Sequence, residues 1–138
     1  MIKLIIAGGS DFKDYNLLQF ETQRFLVEQQ FKPNQVTIIS GKADGADTLG
    51  EVFANKYHFP IIEMPAKWDD LDNPIRLIRT RRDGTKYNAL AGPIRNEEMA
   101  KIATHLIAFH DGKSTGTGGM IKLASPEKYN LITKVVNY

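Results

Sequence analysis

The chain has 138 residues, the length of one compact domain, with 42% apolar and 25% charged residues and a formal net charge of +2 from 18 basic and 16 acidic side chains. That composition excludes a disordered segment, a fibre and a coiled coil, and the charge is too balanced to point to nucleic acid by itself. No cysteine is present, which removes disulfide scaffolds, thiolate metal sites and cysteine nucleophiles from consideration.

Apolar runs such as Leu4-Ile5-Ile6-Ala7 are far too short to span a membrane, and no basic-then-apolar leader follows Met1. A soluble cytoplasmic protein is the expectation. Lys3 to Ala7 reads as a buried parallel strand ending at Gly8-Gly9. Tyr15 to Phe31 reads as a helix stopped by Lys32-Pro33-Asn34, and Val36 to Ile39 as a second buried strand closed by Ser40-Gly41. Ala46, Leu49, Gly50, Phe53, Ala54 and Tyr57 then recur at helical spacing. Pro60 to Met64 is a third strand.

Periodicity fails from Ala66 to Ala91, a stretch too long to be an ordinary connection and therefore expected to be functional or mobile. It holds Trp68, the acidic Asp69, Asp70 and Asp72, and a basic cluster of Arg76, Arg79, Arg81, Arg82 and Lys86 opposed only by Asp83. A helix is expected from Gly92-Pro93, with proline at its first position and Glu97 and Glu98 in its first turn. His105 to Phe109 is a fourth strand. A Gly/Ser/Thr-rich turn from Asp111 to Gly119 leads into a helix through Met120, Ile121 and Ala124, and Leu131 to Val136 is a fifth strand.

Alternating strands and helices predict an α/β fold, a Rossmann-like three-layer sandwich with a mainly parallel five-stranded sheet, as a single domain. Such sheets bind ligands beyond the carboxyl ends of their strands. Four segments therefore converge on one rim: Gly8-Gly9-Ser10, Ser40-Gly41-Lys42, Pro65 to Trp68, and His110 to Gly119.

Gly8-Gly9-Ser10 suits close backbone approach to a ligand, and equally a tight strand-to-helix turn; it lacks the third glycine of a dinucleotide fingerprint. Ser40 to Asp47 is a second glycine loop, with Gly41 and Gly45, that opens a helix and would offer free N–H groups to a phosphate. Asp44 and Asp47 there read as helix caps or as ribose ligands. Gly112-Lys113-Ser114 resembles the end of a P-loop, but the required first glycine falls at Ile107, so that motif is rejected. The small polar run Ser114, Thr115, Gly116, Thr117 remains as a candidate anion cradle. His58, His105 and His110 have no metal-ligand spacing. Trp68 reads as a stacking surface for a base or as an ordinary half-buried tryptophan. The basic 76–86 segment reads as a phosphate-gripping flap over the rim or a solvated loop in preference to a nucleic-acid reader.

Gly8-Gly9-Ser10-Asp11-Phe12, Ser40-Gly41 with Asp44-Gly45-Ala46-Asp47, Ala91-Gly92-Pro93-Ile94-Arg95-Asn96, and Phe109 to Ile121 occur in the order that resembles the YspA-type, YpsA-related branch of the SLOG superfamily. The resemblance spans nearly the whole chain. It implies a Rossmann-like fold, a nucleotide or nucleotide-derived ligand, a homodimer, and a bacterial or phage origin. The superfamily also includes the lonely-guy phosphoribohydrolases, which cleave the N-glycosidic bond of nucleoside 5′-monophosphates. The arginine of that group is similar in place to Arg95, with Met99 also matching, and its PGGxGTxxE loop is similar to Asp111 to Met120. The glutamate of that loop falls at Gly118, Gly119 or Met120, none of them acidic. An oxocarbenium-like transition state needs a nearby carboxylate, for which Glu97, Glu98 or Asp111 are the substitutes.

The sequence thus predicts a binding or sensing module for a nucleotide or nucleotide-sugar, with an N-glycosidase as the alternative. Gly8, Gly9 and Ser10 would floor the ribose region; Gly41 and Gly45, with Thr115, Gly116 and Thr117, would cradle phosphate; Asp44 or Asp47 would take ribose hydroxyls; Ser40 and Ser114 are further expected ligand contacts. Trp68, Arg95, Asn96 and Asp111 complete the expected ligand contacts, with Arg95, Glu98 and Asp111 the catalytic candidates if chemistry occurs. No metal or cofactor is indicated; magnesium would suit a phosphate ligand, but no residue pattern calls for it. Nucleic acid ranks last among the partners, and no membrane contact is expected.

Overall fold

The computed structural model describes all residues, Met1–Tyr138. Five strands, β1 (Ile2–Gly8), β2 (Val36–Ser40), β3 (Ile61–Glu63), β6 (His105–His110) and β7 (Ile132–Asn137), form one sheet in the order β3-β2-β1-β6-β7, with every neighbouring pair parallel. The helices α1 (Tyr15–Glu28), α2 (Ala46–Lys56), α3 (Ala91–Ile102) and α4 (Thr115–Leu123) supply the crossovers.

The continuous apolar runs of β1 and β6 are explained by burial on both faces. Leu4 and Ile6 pack with Leu18, Phe25 and Leu26 of α1 and Phe53 and Ala54 of α2. Ile5 and Ala7 pack on the opposite face with Met99 and Ala100 of α3, Met120 of α4 and Ala124, which caps α4. The result is the Rossmann-like three-layer sandwich with a five-stranded sheet that the alternation of elements predicts, and the sheet is wholly parallel. No helix is long and apolar enough to cross a membrane.

Several boundaries differ from the sequence expectation. Helix α1 ends at Glu28 rather than Phe31, because Gln30 turns to a positive φ of 54° and the Phe31 amide bonds back to the Leu26 carbonyl. Helix α3 begins at Ala91, so Pro93 is its third residue and Glu97 and Glu98 fall in the second turn, where the dipole affects them less. Helix α4 begins at Thr115, which places Gly116, Gly118 and Gly119 inside it; burial of Thr117 and Met120 against the sheet outweighs their poor propensity.

The largest difference lies in 66–91. Ile78–Thr80 (β4) and Lys86–Asn88 (β5) pair as an antiparallel hairpin, turned at Gly84 with φ +89°. Asn88 fixes it from below. Fully buried, it accepts from the Leu77 and Leu90 amides (3.1 Å each) and donates to the Ile75 carbonyl (3.2 Å).

Candidate functional site

The chain leaves β1 toward β2 on one side of the sheet and returns to β6 on the other, so the strand order switches at the carboxyl ends of β1 and β6. A cavity of about 210 Å³ opens there. Ala7, Gly8 and Ser10 come from the end of β1, Ala43, Asp44 and Asp47 from the start of α2, and Arg95, Asn96 and Met99 from α3. Ser114, Gly116, Thr117 and Met120 of α4 close it. Met99 and Met120 form an apolar floor that sequence reasoning did not assign to the site, although their helical spacing marks them as inward-facing.

The wall made by α4 is rich in free donors. Asp111 accepts from the Lys113 and Ser114 amides at 2.8 Å each, which folds the turn, and Gly118 donates to the Ser114 carbonyl. The amides of Thr115, Gly116 and Thr117 have no acceptor in the chain, as expected for a helix's first turn. Helix α2 presents a second N-terminus to the cavity, through Asp44 and Asp47, and starts after Gly45, whose φ of +79° is unsuited to a side chain. A Cβ at Gly45 would run into the Gly9 carbonyl and the Ser10 backbone.

Between these two helix ends stands Arg95, half-buried. Its Nε donates to Asn96 Oδ1 (2.9 Å), and Nη1 donates to the Gly41 carbonyl and, at 3.4 Å, to the Met64 carbonyl. Nη2 makes no hydrogen bond within the chain. Burial lowers the Arg95 pKa while the Asp47 charge opposes that shift, and a guanidinium stays charged regardless. Burial likewise raises the Asp47 carboxyl above the usual carboxylate value, against the Ala43 amide (3.1 Å) and the Arg95 charge, which both lower it. Gly41 separates the two side chains, and a Cβ there would strike the guanidinium and sit 2.8 Å from Asp47 Oδ2.

Other predicted residues lie elsewhere. Ser40 is buried and donates to Glu51 Oε2 (2.8 Å) within a network in which Lys42 Nζ reaches Glu51 and Glu63. Gly9 and Gly45 meet behind the cavity wall, and Thr115 starts α4 without lining the cavity. Asp111 is spent on its turn, and those two amide bonds hold its carboxyl below the usual range. Trp68 rests against Gly92 at the start of α3 and meets Tyr87 edge-on at 6.3 Å. Glu97 accepts from the Tyr129 hydroxyl (2.7 Å). Glu98 lines a smaller cleft of about 80 Å³ with Lys67, Asp70, Asn73 and Asn88, on which Arg95 also borders. None of residues 76–86 lines the cavity, so the flap expected over the rim is instead a hairpin beside it. No cluster of three or more histidine or carboxylate side chains is placed to hold a metal.

No protein-family model, curated protein or solved structure matches the chain.

Proposed function

We propose that the cavity at the sheet's switch point binds a nucleotide or nucleotide-derived ligand, in a SLOG-type binding or sensing module. One observation carries this reading: two helix N-termini and the free edge of a half-buried arginine border the same cavity as two carboxylates. The α4 amides and Arg95 Nη2 suit a phosphate, where charge-assisted hydrogen bonds contribute about 1.5–3 kcal/mol each. Asp44 and Asp47 suit neighbouring hydroxyls, as a ribose offers. Met99 and Met120 give the sugar or base an apolar surface.

A second reading, hydrolysis of a nucleoside 5′-monophosphate at its N-glycosidic bond, rests on Asp47. Burial raises the pKa of this carboxyl within the cavity, the direction that a general acid for a leaving base requires. Glu98 and Asp111 lose their candidacy in this reading because they stand outside the cavity.

Ligand-observed proton NMR with AMP, GMP, an N6-substituted AMP, ADP-ribose and NAD separates the two. Saturation transfer to one ligand with an unchanged spectrum over a day supports binding alone. Free base with ribose 5-phosphate makes the protein a glycosidase. Absence of transfer to every member removes the nucleotide reading.

A further inference from the structure

The hairpin β4–β5 and its flanks carry a surface that the cavity does not use. Arg79 and Tyr87 are cross-strand partners and so project from the same face. The Arg81 guanidinium lies over the Tyr87 ring at 4.7 Å, and Trp68 packs edge-on with Tyr87 at 6.3 Å between ring centroids. Trp68 is 40% exposed. Four of the twelve exposed large apolar side chains, Trp68, Ile75, Leu77 and Ile78, belong to this one segment, which singles it out from the rest of the surface.

The charge around this face is unpaired. Arg76, Arg79, Arg82 and Lys86 are exposed and none enters a salt bridge; the chain's five ion pairs all lie elsewhere. Asp83, the one acid within the hairpin, is held by the Thr85 amide (3.0 Å) and hydroxyl (2.7 Å). Arg81 is committed to the hairpin itself, through Thr85 Oγ1 and the Lys86 carbonyl. Exposed cations outside any ion pair, one of which (Arg76) donates to the Asn73 carbonyl at 3.1 Å, thus flank the exposed Trp68 and the half-buried Tyr87, whose ring carries the stacked Arg81.

We infer that this hairpin is a binding surface for single-stranded nucleic acid, with bases on Trp68 and the uncovered part of Tyr87 and phosphates on Arg76, Arg79 and Arg82, and on Lys86, which projects from the opposite face of its strand. The aromatic faces distinguish this partner from an acidic peptide or an anionic membrane, because unpaired bases alone combine flat rings with a regularly charged backbone. A duplex hides its bases and would leave the aromatic pair unused. The inference is independent of the nucleotide cavity, whose residues it does not employ.

The test is fluorescence anisotropy of a fluorescein-labelled oligothymidylate about twenty nucleotides long, titrated with the intact protein at several salt concentrations. Four phosphate contacts on a single strand predict about a fifty-fold loss of affinity between about 50 and 200 mM salt. Replacing three of them together, Arg79→Ala, Arg82→Ala and Lys86→Ala, leaves one contact and reduces that loss to about three-fold. Separately, Tyr87→Leu keeps an apolar residue in the strand and removes the ring. It should weaken binding about five-fold or more with the salt slope unchanged. Circular dichroism and melting verify that each variant is folded, and either variant set suffices if the other is not. No binding at low salt, tighter binding to a duplex of equal length, or unchanged affinity in folded variants would each overturn the assignment.

Discussion

Gly116 offers a test in which stability and binding should move in opposite directions. It is the second residue of α4, has ordinary helical backbone and lines the cavity, and a Cβ added there meets nothing within 4 Å. Gly116→Ala should therefore stabilise the fold by reducing the freedom of the unfolded chain, by about 0.4–1 kcal/mol. A chain of 138 residues unfolds with an entropy of about 0.29 kcal/mol/K, so the melting temperature should rise by about 1.5–3.5 °C. The same methyl group stands where a phosphate must approach the free amides of Thr115, Gly116 and Thr117. Losing one charge-assisted bond there weakens a ligand about tenfold or more. Gly119 is the control: it lies in the same helix with equally open surroundings, but outside the cavity. Gly119→Ala should raise the melting temperature similarly and leave affinity unchanged. Thermal melts followed by circular dichroism, with AMP titrated by calorimetry, give both readouts. A stabilised Gly116→Ala protein that binds as the parent does would refute the placement of phosphate at α4.

Arg95→Gln should weaken an anionic ligand about tenfold or more in the same calorimetric titration. It should also lower the melting temperature, since the bond to the Gly41 carbonyl is lost; unchanged affinity would take Arg95 out of the site. Asn88→Ala orphans the Leu77 and Leu90 amides and should cost about 1–3 kcal/mol, concentrated in the hairpin segment. Limited trypsin digestion at Arg76 to Arg82 should then accelerate, and an unaltered cleavage rate would contradict the anchoring role. His105 is buried, and burial first, then the nearby N-terminal amine, hold its pKa below the usual 6.5. The unfolded chain then binds the proton more readily, so this stability is complete above about pH 6.5 and is lost as pH falls through the folded value. Melting temperatures taken from about pH 7.5 down to 5.5 should fall less for His105→Gln than for the parent, and parallel curves would count against it.

The centre of the sheet was legible because β1, β2 and β6 are buried on both faces. Leu4-Ile5-Ile6-Ala7 and Leu106-Ile107-Ala108-Phe109 have no polar face to confuse with a helix, and they occupy the two sides of the switch point. The rim followed from strand polarity alone. The sequence could not decide which of Asp44 and Asp47 faces the ligand, since both suit a helix start; the structure sets both at the cavity and gives Asp47 the Ala43 amide as well. Hydrophobic pattern and charge do not separate Arg95 from any other helical arginine; the family resemblance pointed to it, and its packing against Gly41 gives it a physical place. The hairpin was illegible for a different reason. Strands of three residues show no alternation, and they are held by the tertiary bonds of one buried asparagine, which no window of sequence displays.

The mixture of charges in the cavity narrows what it can hold. Helix N-termini and an arginine favour an anion, yet Asp44 and Asp47 within the same walls repel one. A small inorganic anion would gain from the first set and suffer from the second, with no group to satisfy the carboxylates. A ligand whose anionic group and hydroxyls are separated by a few bonds meets both demands, with phosphate toward α4 and Arg95 and hydroxyls toward the start of α2. Burial sharpens the selection, since Asp47, although it accepts from the Ala43 amide and faces Arg95, is penalised for its charge by desolvation and would gain from a further donor brought by the ligand. On the proposed reading the carboxylates would act as a filter against bare phosphate, and the hydroxyls of a sugar would satisfy them.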